Sequence, residues 1–199
     1  MFTKIFSTFF LCIFLVSCGS NNETSPNLDI ASSEWLVSTQ LENFSISLPS
    51  SWEIIDDSDG ILPIPNQGTI ELAVSSTKQS SGFYNNLLVL SDTLAQFQTS
   101  QDFSLTNNIG ARDAYVEYKE ISRKDFTFID KESSLIYIFE ARYNTQTPKL
   151  KFLQVARICE ANTAYLLTIA LPTSVQVTTQ YEQLLQTFAC SEEESEGKE

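Results

Sequence analysis

Four apolar runs, at residues 114–121, 135–143, 150–159 and 164–171, are rich in Tyr, Ile, Val and Phe and follow one another at short intervals. Such runs are strand-formers. Several are apolar at both odd and even positions: Leu153 and Val155 stand alongside Phe152 and Ile158. A strand that is apolar on both sides has to be covered on both faces, so the sheet is expected to carry helices as its outer layers. The last two runs are separated by Glu160-Ala161-Asn162-Thr163, a short polar loop that reads as an antiparallel hairpin.

Other segments complete the pattern. Phe44, Ile46 and Leu48 alternate with Ser45 and Ser47 and stop at Pro49, which reads as an edge-type strand. Ile70, Leu72 and Val74 alternate in the same way. Residues 86–90 form a short apolar run, after which Ser91 is placed to cap a helix containing Leu94 and Phe97. A closing helix is expected after Pro172: Thr173 and Gln176 match a capping box, and Val177, Tyr181, Leu184, Leu185 and Phe188 recur at helical spacing.

The N-terminus reads as an export signal, with Lys4 followed by an apolar stretch at 5–16 that is too short to span a membrane as a helix. It ends in Leu15-Val16-Ser17-Cys18-Gly19. This resembles the lipobox of bacterial lipoproteins, in which the cysteine after a small residue is acylated on cleavage. The resemblance implies lipidation at Cys18 and a membrane partner reached through two lipid anchors, the number that stable attachment needs. It places the chain in the cell envelope: at the outer membrane of a diderm, or on the outer face of the plasma membrane of a monoderm. The expected organisation is a signal peptide at 1–17, a polar tether at 18–33, a domain at 34–190 and an acidic tail at 191–199 holding five Glu and one Lys. The tether, as a random coil, reaches roughly 20 Å from the bilayer.

Cys12 leaves with the signal peptide and Cys18 carries lipid, so Cys159 and Cys190 remain. An even pair in an exported domain suggests a disulfide, and a helix running back along 164–171 brings Cys190 toward the hairpin turn beside Cys159. Closing a loop of that length contributes about 3 to 4 kcal/mol in the chain-entropy account. Two buried thiols are the alternative. A metal site is a poorer one, because two thiolates without histidine bind zinc badly.

The order of motifs carries a second resemblance. Asn43-Phe44-Ser45-Ile46-Ser47-Leu48-Pro49 followed by Trp52, the Asn85-Asn86-Leu87-Leu88-Val89 strand, Ile109-Gly110-Ala111-Arg112-Asp113-Ala114 before a strand, the hairpin with Ala164-Tyr165-Leu166-Leu167-Thr168, and the closing helix together resemble PsbP-like domains. That family includes a photosystem subunit, Mog-type proteins and many bacterial lipoproteins. The resemblance implies an α+β fold, an α/β/α sandwich whose mainly antiparallel central sheet is flanked by helices, with Trp52 as a core plug. It implies no photosystem role: histidine is missing where a metal site would need it, and a basic docking surface is missing too.

Charge and composition narrow the chemistry. The chain has 12 Lys+Arg against 25 Asp+Glu, a net charge of −13, and no histidine. An acidic surface repels phosphate backbones, which argues against nucleic acid as a partner. Without histidine there is no Ser-His-Asp triad and no HExxH zinc helix. Asp56-Asp57-Ser58-Asp59-Gly60 invites a calcium reading, but Ile55 and Asn66 stand where an EF-hand needs its first and last ligands, so a solvated turn is expected. Ser75-Ser76-Thr77-Lys78 matches the Ser-x-x-Lys nucleophile motif without its companion motifs. No cofactor, metal or catalytic residue is implied. Phe83 and Tyr84, after Ser80-Ser81-Gly82, read either as packing at the core's edge or, with Trp35 at the start of the domain, as a candidate binding patch. The expected function is a non-enzymatic binding or assembly module, with another envelope protein as partner. The alternative is a carboxylate-dependent hydrolase of envelope glycans, which needs two converging acids.

Overall fold

The computed structural model describes residues 36–56, 62, 65, 67–159 and 162–191. The lipobox with Cys18, the tether, Trp35, most of the acidic tail and all but Asp56 of the Asp-rich cluster lie outside the described residues. The elements are β1 (Leu36–Gln40), β2 (Phe44–Pro49), β3 (Trp52–Ile54), β4 (Thr69–Ser80), β5 (Phe83–Thr93), α1 (Ser100–Ala114), β6 (Val116–Thr127), β7 (Ser133–Arg142), β8 (Leu150–Ile158), β9 (Thr163–Pro172), α2 (Thr179–Gln186) and β10 (Ala189–Cys190). The fold is α+β. Seven strands in the order β3-β4-β5-β9-β8-β7-β6 form one antiparallel sheet, and β1-β2-β10 form a second, small one.

The double-sided apolar strands lie at the centre of the large sheet. Its rows are set by register: Leu87, Ile169, Leu153 and Ile138 stand side by side, as do Val89, Leu167 and Val155. These residues are fully buried beneath β2 and α2, which supply Phe44, Ile46, Tyr181, Leu184 and Leu185. Phe188 follows α2 and stacks on Phe44 with ring centroids 4.9 Å apart. Pairs of this kind contribute about 0.5–1.5 kcal/mol beyond their buried area. Trp52 packs half-buried against the same core. Cys190 then pairs with Phe44 in the small sheet and is joined to Cys159, Cα atoms 5.8 Å apart, so the expected disulfide is formed.

On the opposite face lies α1. Its buried residues are Ser100, Ser104, Asn108 and Ala111, a stripe that is polar over its first three positions. The stripe is explained by a gap in the sheet. The β7–β8 ladder runs only from Ala141↔Leu150 to Tyr137↔Gln154, beyond which β8 has no β7 partner. There α1 takes the partner's place: Ala156 N–H donates to Ser104 Oγ at 2.8 Å and Ile158 N–H donates to Ser100 Oγ at 3.0 Å. Ser134 Oγ donates to the Ala156 carbonyl at 2.7 Å. Four helical residues rise about 6 Å and two strand residues about 6.6 Å, so serines one helical turn apart match alternate strand positions.

Three sequence expectations are corrected. Ser91 caps no helix: it sits in β5 between Thr69 and Tyr165, its hydroxyl donates to Glu71, and Phe97 is 81% exposed in the loop beyond. The cap is Thr99, whose Oγ1 accepts the Asp102 N–H at 3.1 Å. The closing helix starts at Thr179, after Thr178, because Gln176 is spent on the carbonyls of Thr173 and Ser174 in a local turn; Val177 is left 68% exposed. Finally, β2 is the central strand of its small sheet, with Leu36 opposite Pro49 on one side and β10 on the other.

Candidate functional site

Helix α1 packs chiefly on β7 and β8 and touches β9, and the α1-side face of β4 and β5 is only partly covered, with Ile70, Leu88 and Leu90 half-buried. Register again defines its rows: Ala73, Leu88, Thr168, Gln154 and Tyr137 in one, and Ile70, Leu90, Leu166 and Ala156 in the next. Leu88, Leu90, Leu166 and Thr168 are half-buried, whereas Leu87, Val89, Leu167 and Ile169 between them are sealed in the core. The strands alternate between a closed face and an open one.

The open face forms the floor of a cleft of about 550 Å³. Its walls are Phe83 and Tyr84 at the β4–β5 turn, Tyr115 at the end of α1, Tyr143 after β7, and Ile55 and Leu62. A second recess of about 510 Å³ runs on under α1 past Gly68, Phe103 and Asn107, sharing Leu90, Tyr115, Gln154 and Leu166 with the first. The described residues lining the larger cleft include no charged side chain, and Asp92 is the one charged residue lining the recess. These are dimensions that suit a small ligand.

Aromatic packing sets the rim. Tyr115 stacks on Phe152 at 5.2 Å, and Tyr143 meets both rings edge-on at 5.5 and 5.4 Å. Desolvation raises the phenol of Tyr115 above its ordinary range; it does the same at Tyr143, with Tyr115 adding to the effect. Both are neutral hydroxyls at physiological pH. Gln154 lies at the junction of the cleft and the recess, 6% exposed; its Nε2 donates to Thr168 Oγ1 at 3.1 Å while its Oε1 is buried without a partner. A buried acceptor left unpaired costs about 1–3 kcal/mol. Two further orphaned atoms, the Tyr137 hydroxyl and Asn108 Oδ1, belong to the same side of the sheet.

Phe83 and Tyr84 both line this rim, Phe83 half-buried against the core cluster of Tyr137, Phe139 and Phe152 and Tyr84 47% exposed. Trp35 lies outside the described residues. Sequence reading missed Tyr115, Tyr143 and Gln154. No local signal marks Gln154, whose surroundings depend on which face of β8 stays open, whereas the two tyrosines fall inside the apolar runs 114–121 and 135–143 and read as strand residues, although the structure places them just outside β6 and β7. In the Ser-x-x-Lys segment, Ser75, the nucleophile position, lies in β4 opposite Asn86, while Lys78 is exposed further along the strand. No group of three metal-ligating side chains occurs among the described residues.

No protein-family model and no curated protein matches this chain. Among solved structures, it is similar to a Pseudomonas aeruginosa protein of unknown function, at 11% identity and a TM-score of 0.50, over 76% of this chain and 94% of that one. A protein from Bacteroides thetaiotaomicron VPI-5482 aligns over 75% of this chain and 46% of its own, at 11% identity and a TM-score of 0.38. At such identity the first likeness is one of fold alone.

Proposed function

We propose that this chain is a bacterial envelope lipoprotein, held to the membrane by an acylated Cys18, whose domain is a non-enzymatic binding module that takes its ligand in the cleft beside α1. The observation that carries the binding role is the half-covered apolar floor over β4, β5 and β9, rimmed by Phe83, Tyr84, Tyr115 and Tyr143. Apolar surface left open inside a cleft is stabilised when a partner or ligand covers it. The anchor rests on the sequence Leu15-Val16-Ser17-Cys18. The finer fold reading is a PsbP-like sandwich, supported by a central antiparallel sheet with α1 on one face and α2 beside the small sheet on the other. No carboxylate pair lines the cleft among the described residues, so nothing there favours the glycan hydrolase.

The test is expression of the full chain in a bacterium fed labelled palmitate, with membrane fractionation and solvent extraction of the purified protein. Wild type is expected in the membrane, labelled, with a small molecule that Leu166→Glu fails to retain. Cys18→Ala is expected unlabelled and released. Equal fractionation of wild type and Cys18→Ala refutes the anchor, and equal extracts from wild type and Leu166→Glu refute the cleft as the binding site.

A further inference from the structure

We infer that the end of the domain at which Leu36 enters is itself a membrane-binding surface, which rests on the bilayer that carries the anchor and sets Tyr84, Tyr143 and Val177 among the lipid headgroups. This rests on the reading of the chain as an acylated lipoprotein and adds which face of the domain meets the membrane. Three observations carry it.

The first is where the chain enters. Leu36 stands opposite Pro49, and just beyond it the Ser51 carbonyl accepts the Thr77 N–H at 3.1 Å, so β1 begins at the end of the large sheet that holds the β4–β5 turn. Register puts the start of β6, the end of β7, the start of β8 and the end of β9 at that same end: Val116 pairs with Arg142, Ala141 with Leu150 and Leu150 with Pro172. The 10 residues of β9 span about 33 Å at the usual strand rise, more than the roughly 20 Å a random-coil tether reaches. The Leu36 end is therefore the one held near the lipid.

The second is charge. The connections at this end, residues 50–51, 81–82, 115, 143–149 and 173–178, hold one charged residue, Lys149, and no acid. Just inside them, Glu117 is paired with Arg142 and Lys149 at 3.1 and 3.8 Å. The opposite end carries Glu42, Asp130 and Glu132 against Lys131 and Arg157, and the acidic tail with its five Glu begins there, after Ser191, whose N–H donates to the Asn43 carbonyl. Anionic phospholipid repels that end and leaves the Leu36 end free to approach.

The third is exposure. Val177 is 68% exposed, Tyr143 48% and Tyr84 47%. Their turns adjoin: Ser81 Oγ lies 2.8 Å from Ser174 Oγ, and Tyr84 and Tyr143 line one cleft with Phe83 and Tyr115. Tyrosine, apolar in its ring and polar at its tip, concentrates at membrane–water interfaces. Phe97 and Ile129 are also exposed, but they stand at the acidic end, where repulsion keeps them in water.

The experiment uses the acylated full chain in vesicles of phosphatidylcholine and phosphatidylglycerol that contain a lipid spin-labelled at its headgroup. A fluorophore is attached through Val177→Cys or, at the opposite end, through Ile129→Cys, and its quenching by the spin label is read. Palmitate incorporation and co-flotation with the vesicles report the anchor separately. Quenching is expected to be several-fold stronger at position 177 than at position 129. That difference is expected to vanish in Tyr84→Glu/Gln176→Glu, which adds acids at two exposed positions of the docking end while the protein still floats. Intact disulfide and unchanged circular dichroism check that each variant is folded. Equal quenching at the two positions in a floated protein overturns the docking surface and leaves the anchor standing. So does a difference that survives Tyr84→Glu/Gln176→Glu, because the tether alone then brings this end near the lipid. A chain that takes up no palmitate and does not float overturns both.

Discussion

The Ala156 backbone N–H donates to the hydroxyl of Ser104 at 2.8 Å, so a helix side chain holds the position a neighbouring strand would occupy. The Ser104 hydroxyl also lies 3.0 Å from Ser134 Oγ, which donates to the Ala156 carbonyl. Both polar groups of one buried peptide position are thus satisfied by two serines. This bridge places α1 over β7 and β8, beside the half-covered face of β4 and β5. Ser104→Ala removes the acceptor and leaves a buried N–H unpaired. The expected loss is about 1–3 kcal/mol in urea unfolding, with faster amide exchange at Ala156. An unchanged midpoint would mean that the strand gap closes without α1.

Reduction of Cys159–Cys190 releases the end of β10 from the β8–β9 hairpin. The pair is 31 residues apart, and Cys159→Ser with Cys190→Ser is expected to cost about 3–4 kcal/mol. Alkylation before and after reduction checks the bond directly: two more cysteines should react after reduction.

Gly68 and Gly82 separate backbone strain from steric contact. Both have positive φ, +76° and +77°, but a Cβ at Gly68 would stand 2.3 Å from the Ser91 carbonyl, while one at Gly82 meets nothing within 4 Å. Gly82→Ala should cost about 1 kcal/mol, the ordinary penalty for a side chain in the left-handed region. Gly68→Ala should cost at least ~1 kcal/mol more, because backbone has to move. Equal melting temperatures for the two variants would contradict this.

Alkaline pH offers a further test. Tyr115, Tyr143, Tyr165 and Tyr181 all have phenols raised above the ordinary value of 10.0, with desolvation the leading cause in each. The folded state holds these protons longer than the unfolded chain does. Stability linked to them is therefore fully present below pH ~10 and is lost as pH rises from there toward the folded-state values. Urea midpoints measured from pH 8 to 11 should fall at the alkaline end, with a shallower fall in Tyr115→Phe/Tyr143→Phe.

Much of the architecture was legible because burial on both sides of a strand is written in its composition. The runs containing Leu135, Phe152 and Leu167 became the central β7, β8 and β9, and the stripe of Tyr181, Leu184 and Leu185 became α2. Helix α1 left no such trace. Its buried positions are Ser100, Ser104 and Asn108, and hydrophobic spacing carries no information about a helix whose inner face makes hydrogen bonds. The Thr99–Asp102 cap is the local signal that marks it.

By itself, the sequence determined the strand composition, the final apolar helix, the even cysteine pair and the aromatic turn at Phe83 and Tyr84. Each of these is a local property of residue type and spacing. Only the tertiary structure decided where the sheet stays open, because that depends on how far α1 reaches once Ser100 and Ser104 have taken the hydrogen bonds of Ile158 and Ala156. Gln154 Oε1, buried without a hydrogen-bond partner, is likewise legible only in the folded chain: which groups surround a buried acceptor is a relation between distant segments rather than a property of any one of them.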